Sequence, residues 1–238
     1  MKEERKAHRF SRLELILGED NISFFGDKTI MVVGLGGVGG YVVESLARCG
    51  IGRLILVDFD TVDITNINRQ IIALTSTIGK YKADLLEERV KDINPSIEVV
   101  TIKKFIDKDN ISELFDEHID FVVDACDTIM TKKLIIKNCL DKNIDFITSM
   151  GTGNKLDPSK LEILDIRKTV NDPLARIMRK FVKDEHINKK VMTLCSTELP
   201  IKTHIITPGS NSFVPSSAGL LISSYIIRKF ILDNKKES

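Results

Sequence analysis

The stretch from Ile30 to Gly40, Ile-Met-Val-Val-Gly-Leu-Gly-Gly-Val-Gly-Gly, constrains the fold more than any other part of the chain. A run of strand-forming apolar residues enters Gly34-x-Gly36-x-x-Gly39, and Val38, Val42, Val43, Leu46 and Ala47 then recur at helical spacing. Strand, tight turn and helix follow in that order. One glycine makes the turn, one lets backbone amides approach a phosphate, and one lets the helix sit close to the strand. The helix N-terminus adds unpaired N–H groups and the positive end of a dipole. A second strand, Arg53 to Val57, ends at Asp58, where a carboxylate can hydrogen-bond ribose hydroxyls. The spacing predicts a nucleotide-binding βαβ unit. A glycine turn used only for helix–strand packing is the plainer alternative.

Downstream, the same alternation continues. A helix is expected over about Lys80 to Ile93, stopped by Asn94-Pro95, then a strand over Ile97 to Ile102 and a short helix over Asn110 to Glu117. Phe121-Val122-Val123 reads as a buried parallel strand, followed by a helix from Thr128 to Leu140 and a strand over Asp145 to Thr148. Leu161 to Ile166 reads as a further strand, a helix starts at Pro173, and Ala218 to Ile227 lies in a packed C-terminal helix. Before the glycine turn, Leu13, Leu15, Ile16 and Leu17 suggest one short helix stopped by Gly18. The expected fold is a Rossmann-like doubly wound, mainly parallel sheet with helices on both faces, plus a C-terminal α+β extension. One domain spans residues 1–238, with an N-terminal arm (1–29), a nucleotide-binding core (30–153) and a substrate-facing part (154–238). Asp58, Asp127 and the loop Ser149 to Gly153 should converge at the carboxyl ends of the strands.

Composition removes several function classes. The charge of +1 over 238 residues gives no global attraction to nucleic acid, so a basic surface must be local. The four cysteines, Cys49, Cys126, Cys139 and Cys195, form no C-x-x-C pair, which argues against a disulfide framework and a cysteine zinc site. The opening Met1-Lys-Glu-Glu-Arg-Lys lacks the apolar core of a signal peptide, and the C-terminal apolar run falls short of the ~20 residues a bilayer span needs. A cytoplasmic location is expected, with peripheral membrane contact left open. The local basic excess is Arg167, Lys168, Arg176, Arg179, Lys180 and Lys183, joined by Lys189 and Lys190. It reads equally as a solvated helix face or a phosphate-backbone contact.

The polar block Asp60 to Gln70 is more than a plain crossover needs, and a nicotinamide cofactor leaves it unexplained. ATP cleaved between its α- and β-phosphates asks for cations on the phosphates and a carboxylate to hold Mg²⁺. Arg69, Lys82 and Asp127 supply those groups. Taken singly, Arg69 and Lys82 are ordinary surface charges and Asp127 is an ordinary helix N-cap. Cys195 without an evident base reads as a small buried hydrophobe rather than a nucleophile.

Together these residues carry a known pattern. Arg9-Phe10-Ser11-Arg12, Gly34-x-Gly36-Gly37-x-Gly39, Asp58-x-Asp60, Asn66-x-x-Arg69-Gln70, Lys82 and Asp124-x-x-Asp127 stand in the order and spacing of the ATP-dependent carboxylate-adenylating superfamily. That superfamily includes ubiquitin-activating enzymes and the bacterial activators of thiamine and molybdopterin sulfur carriers (ThiF and MoeB). The resemblance implies that Gly36 and Gly37 line a phosphate loop and that Asp58 holds the ribose. It also implies that Asn66, Arg69 and Lys82 meet the triphosphate and that Asp127 binds through Mg²⁺. Arg12 would reach the partner's ATP, which implies a homodimer.

The second half resembles the branch of tRNA threonylcarbamoyladenosine dehydratases. The pieces are Asp172-Pro173-Leu174-Ala175-Arg176-x-x-Arg179, Ser196-Thr197-Glu198-x-Pro200 and Gly209-Ser210-x-Ser212-Phe213-Val214-Pro215-x-x-Ala218-Gly219-Leu220. That branch implies a ligase-type tRNA modification in which a threonyl carboxylate beside the anticodon is adenylated and then closes into a ring, expelling AMP. Intramolecular closure needs no cysteine nucleophile. The resemblance also leaves room for a sulfur-relay partner such as a cysteine desulfurase. An activator of a sulfur-carrier or ubiquitin-like protein is the main alternative. A non-catalytic nucleotide-binding module and a nicotinamide dehydrogenase are the others.

Overall fold

The computed structural model describes residues 7–205 and 207–237; the charged opening residues 1–6 lie outside them. The glycine-rich stretch folds as its sequence requires. Strand β1 (Thr29–Val33) is buried along its whole length, and helix α3 (Gly39–Arg48) leaves the turn directly behind it. Gly34 adopts φ of +87°, a left-handed conformation that costs other residues energy. A Cβ on Gly39 would lie 1.8 Å from the Gly34 carbonyl oxygen, so close helix–strand packing demands glycine there. Gly39→Ala is therefore expected to leave little folded protein at 25 °C, read by loss of the cooperative thermal transition, whereas Gly36→Ala, with no contact nearer than 3.6 Å, should fold.

The helices α1 (Ser11–Leu17) and α2 (Glu19–Gly26) precede β1, with Gly18 between them. One helix was expected there. Gly18 stops the first and, at φ of +82°, also opens the second. The remaining elements are β2 (Arg53–Val57), α4 (Lys82–Ile93), β3 (Glu98–Ile102), β4 (Phe121–Asp124), α5 (Ile129–Asp141), β5 (Asp145–Ser149), β6 (Leu161–Asp165), α6 (Pro173–Asp184), β7 (Met192–Ser196) and α7 (Phe213–Glu237). The short helix expected over Asn110 to Glu117 is a 3₁₀ turn at Ile111–Phe115. The C-terminal helix is longer than its apolar run, and among the described residues no helix is long and apolar enough to cross a membrane.

All seven strands form one sheet in the order β3-β2-β1-β4-β5-β7-β6. Every neighbouring pair is parallel except β6 with β7. Strand β7 was not anticipated: Met192-Thr-Leu-Cys-Ser follows a polar, basic segment and offers only five residues, yet it sits inside the sheet between β5 and β6. Alternation along β1 builds two cores. Ile30 and Val32 pack with α3, α4 and α7, while Met31 and Val33 pack with α5 and α6. Covering both faces leaves the carboxyl ends of the parallel strands as the place where loops gather.

Candidate functional site

A cleft of about 340 Å³ opens along those strand ends. Gly34, Gly36, Gly37, Asp58, Asp60, Asn66, Arg69, Lys82 and Asp127 all line it, together with Ser149 to Thr152. Gly39 lies behind the turn against Gly34, in a packing role.

Each lining residue is held by local chemistry. Asp58, just beyond the end of β2, accepts from the Leu35 amide at 2.6 Å and from the Asp60 amide at 2.8 Å, tying the glycine turn to the next strand. Its burial pushes the carboxyl above the usual carboxylate range, against the pull of Lys82 and of those two amides. Lys82 opens α4 with its ammonium buried, donating to Asp60 Oδ2 at 2.8 Å. Asn66 accepts from the Asp63 amide at 3.1 Å and closes a capping box that fixes the polar block. Arg69 donates to the Thr65 carbonyl at 2.9 Å and to Asn68 Oδ1 at 3.0 Å, and its stem lies over Gly37. A Cβ on Gly37 would come within 3.1 Å of Pro215 and 3.3 Å of Arg69, so the loop is glycine-lined where side chains already crowd it.

Asp127 differs from its neighbours. It is exposed, makes no hydrogen bond or ion pair among the described residues, and does not cap α5, whose first turn has no side-chain cap. The helix-cap alternative for this residue is thereby removed. A free carboxylate is left at the middle of the cleft.

Three features had no role assigned from the sequence. Gln70 lines the cleft with a buried Oε1 that has no hydrogen-bond partner, an acceptor awaiting a donor. Phe59 and Phe105 meet edge to face at 5.2 Å at one side of the opening, both about half exposed. Beneath the floor, Lys132 is fully buried and donates to both Asp124 oxygens at 3.1 and 3.0 Å and to the Ser149 carbonyl at 2.8 Å. Thr148 donates to the same aspartate at 2.5 Å. This cluster links the ends of β4 and β5, from which Asp127 and the Ser149–Thr152 loop emerge. The available signal was positional: Lys132 shares the stripe of Ile135, Ile136 and Cys139 at helical spacing, where a lysine must find a buried partner.

Outside the cleft, Arg9 donates to the Ile93 carbonyl at 2.8 Å and to Asn94 Oδ1 at 3.2 Å, and Phe10 lies over Gly50. The arm is fastened to the end of α4, and Arg12 is left exposed and away from the cleft of its own chain. Among the basic residues, Arg167 is engaged by Asp165 at 2.9 Å and by the Ile187 carbonyl, and Arg179 donates to Thr169. Lys168, Arg176, Lys180 and Lys183 are exposed without an ion-pair partner among the described residues, beside or on an α6 whose other face buries Ala175, Met178, Phe181 and Val182. Cys195 lies buried in β7, its thiol pushed up to about 11 by burial.

Relatives with this architecture are known. The ThiF family model matches residues 9–172. The tRNA threonylcarbamoyladenosine dehydratase of Bacillus subtilis strain 168 is 41% identical over 95% of this chain and 96% of its own length. The Escherichia coli tRNA N6-threonylcarbamoyladenosine dehydratase, solved in complex with AMP and in complex with ATP, superposes with a TM-score of 0.91 in both cases. The sequence identities are 33% and 32%, and the alignments cover 96% and 97% of this chain and 96% of the other. Likeness to the molybdopterin-synthase adenylyltransferase of Escherichia coli is confined to 51% of the chain, at 30% identity. The chain belongs to the ThiF family, in the branch whose named members are tRNA threonylcarbamoyladenosine dehydratases.

Proposed function

We propose that this chain dehydrates threonylcarbamoyladenosine beside the tRNA anticodon, using ATP to activate the threonyl carboxylate. The observation that carries the reading is the cleft itself, which presents a phosphate turn, two cations and a free carboxylate, within a chain similar end to end to such dehydratases.

ATP fits the lining. The turn at Gly34 to Gly39 offers backbone amides at the start of α3, Asp58 stands where ribose hydroxyls would donate, and Gln70 Oε1 lacks a donor. Arg69, near the end of the polar block, and Lys82, at the start of α4, both line the cleft and would hold phosphate oxygens. Among the described residues no cluster of three metal-ligating side chains exists, which suits Mg²⁺ held by one carboxylate and the phosphates of its substrate; Asp127 is that carboxylate. Bound there, Mg²⁺ would offset the negative charge that grows as pyrophosphate departs.

In the first step a carboxylate oxygen attacks the α-phosphorus in line and the α–β bridge breaks, giving an acyl-adenylate and pyrophosphate. Arg69 and Lys82 stabilise the charge that accumulates. In the second, the carbamoyl group of the same side chain attacks the acyl carbon and gives up an N–H proton to solvent as AMP leaves with the former carboxylate oxygen, so the nucleoside loses one water. Proximity drives this ring closure, and no cysteine is needed. The raised thiol of Cys195 agrees with that.

The exposed face Lys168, Arg176, Lys180 and Lys183 supplies phosphate-backbone contacts whose strength falls with salt. Arg12, fixed by Arg9 and Phe10 yet remote from its own cleft, serves the ATP of a second copy in a homodimer. The setting that supplies both ATP and tRNA is the cytoplasm. Incubation with ATP, Mg²⁺ and tRNA bearing threonylcarbamoyladenosine, then digestion and mass spectrometry, should show a nucleoside lighter by one water only when ATP is present. Pyrophosphate release with a Gly-Gly-terminated carrier protein, and no change in the tRNA, would replace this reading with that of a carrier activator.

A further inference from the structure

Sheet order gives the cleft two ends. Phe59 follows β2 and Phe105 follows β3 on one side, Ser149 to Thr152 follow β5 on the other, and the phosphate turn and Asp127 lie between. The β5 end is built from Gly151 with Thr152 and from Leu174 in the first turn of α6, while Pro215, in the first turn of α7, stands against Gly37 of the glycine turn.

Lys155 is bonded toward both the α6 and the α7 pieces, and its partner Asp172 lies beside Gly151. Its ammonium, 2% exposed, donates to Asp172 Oδ2 at 3.3 Å. Asp172 caps α6, with Oδ1 accepting from the Ala175 amide at 2.7 Å, and its Oδ2 lies so near Gly151 that a Cβ there would come within 3.0 Å. The Lys155 carbonyl accepts from Asn211 Nδ2 at 2.6 Å, and Asn211 Oδ1 in turn accepts from the Val214 amide at 2.9 Å where α7 begins. Lys155 itself does not line the cleft. The amides of Gly151, Thr152 and Gly153 have no hydrogen-bond partner among the described residues, so the loop this residue holds carries free donors.

A buried lysine–aspartate pair is a poor source of stability, because matched uncharged residues serve as well or better. What it supplies here is geometry. We propose that Lys155 and Asp172 are a positioning pair for the β5 end of the cleft, walled by Gly151–Thr152 and Leu174, which takes the carboxylate-bearing nucleoside. The proposal rests on the dehydratase reading and names the residues that shape the nucleoside's end.

The test is the double variant Lys155→Met, Asp172→Asn, in which both charges go and asparagine can still cap α6. KM for the modified tRNA should rise at least about tenfold, while the dissociation constant of Mg-ATP measured without tRNA stays within about twofold of the parent. Amide hydrogen exchange should accelerate at Met150 and Asn154, which flank the loop and donate to the Leu194 and Gly209 carbonyls at 2.8 Å. Lys155→Gln, which keeps an N–H donor toward Asp172, should regain most of the tRNA affinity, and it carries the test if the double variant does not fold. Unchanged KM with unchanged exchange, or an equal loss of ATP affinity, overturns the proposal. If the parent protein binds ATP but never alters the tRNA, the dehydratase reading fails separately, and exchange at Met150 and Asn154 alone upholds or overturns the positioning role.

Discussion

Asp127→Ala is expected to cut pyrophosphate release in the presence of modified tRNA by at least about tenfold while leaving the thermal midpoint unchanged. Both halves follow from the same fact. Asp127 is exposed and unpartnered among the described residues, so its removal breaks no contact within the fold, and surface changes of that kind stay within about 0.5 kcal/mol. Its cost appears only when phosphates and Mg²⁺ are present. The Mg²⁺ concentration giving half-maximal rate should rise in the variant, while a carboxylate that merely decorates the surface would leave that concentration alone. Arg69→Ala makes a useful contrast. It should also lose at least about tenfold in rate, but it forfeits the bonds to Thr65 and Asn68 and the cover over Gly37, so a modest drop in stability accompanies it. Normal rates in both variants would remove the phosphate-site assignment.

The contrast between these two residues shows what could be read from the sequence. The Gly34–Gly39 turn, Asp58, Lys82 and Asp127 are far apart in the chain, but each sits at or just beyond the end of a strand or helix with a clear pattern, and Arg69 belongs to the polar block that joins β2 to α4. Once the parallel sheet is inferred, its strand ends bring them together. Local signals failed where tertiary pairing decides structure. Strand β7 is too short and too plain to announce itself, and it forms because β5 and β6 each leave it an edge. The basic run shows no internal distinction in the sequence, yet Arg167 and Arg179 are drawn into carbonyl and carboxylate contacts that depend on where Asp165 and Thr169 fold, while Lys168, Arg176, Lys180 and Lys183 have no ion-pair partner among the described residues. Lys155 carried no periodic signal, because its partners Asp172 and Asn211 come from distant loops.

Lys132→Met should destabilise the protein by about 3–5 kcal/mol, a fall in thermal midpoint on the order of 10 °C for a chain of this size. The ammonium is fully buried, as is Asp124, and no water can take over when the lysine is gone. The variant keeps nearly the same side-chain volume, so the loss measures an uncompensated carboxylate rather than a cavity. Asp124 would retain the Thr148 hydroxyl, the Cys126 amide at 3.3 Å and the weak Cys126 thiol donor at 3.1 Å, which are too little to replace a charge. Adding Asp124→Asn removes that charge and keeps an acceptor for Thr148. The double variant should therefore be more stable than Lys132→Met alone, with a coupling on the order of 2 kcal/mol in a double-mutant cycle. Additive losses would show that the two residues do not act as a pair. Because the pair ties β4 to the Ser149 carbonyl, the double variant should also show how far the cleft tolerates a neutral floor. If adenylation stays low in a protein whose stability has recovered, the charge pair sets the geometry from which Asp127 and the Ser149 loop project, and stability was never its main contribution.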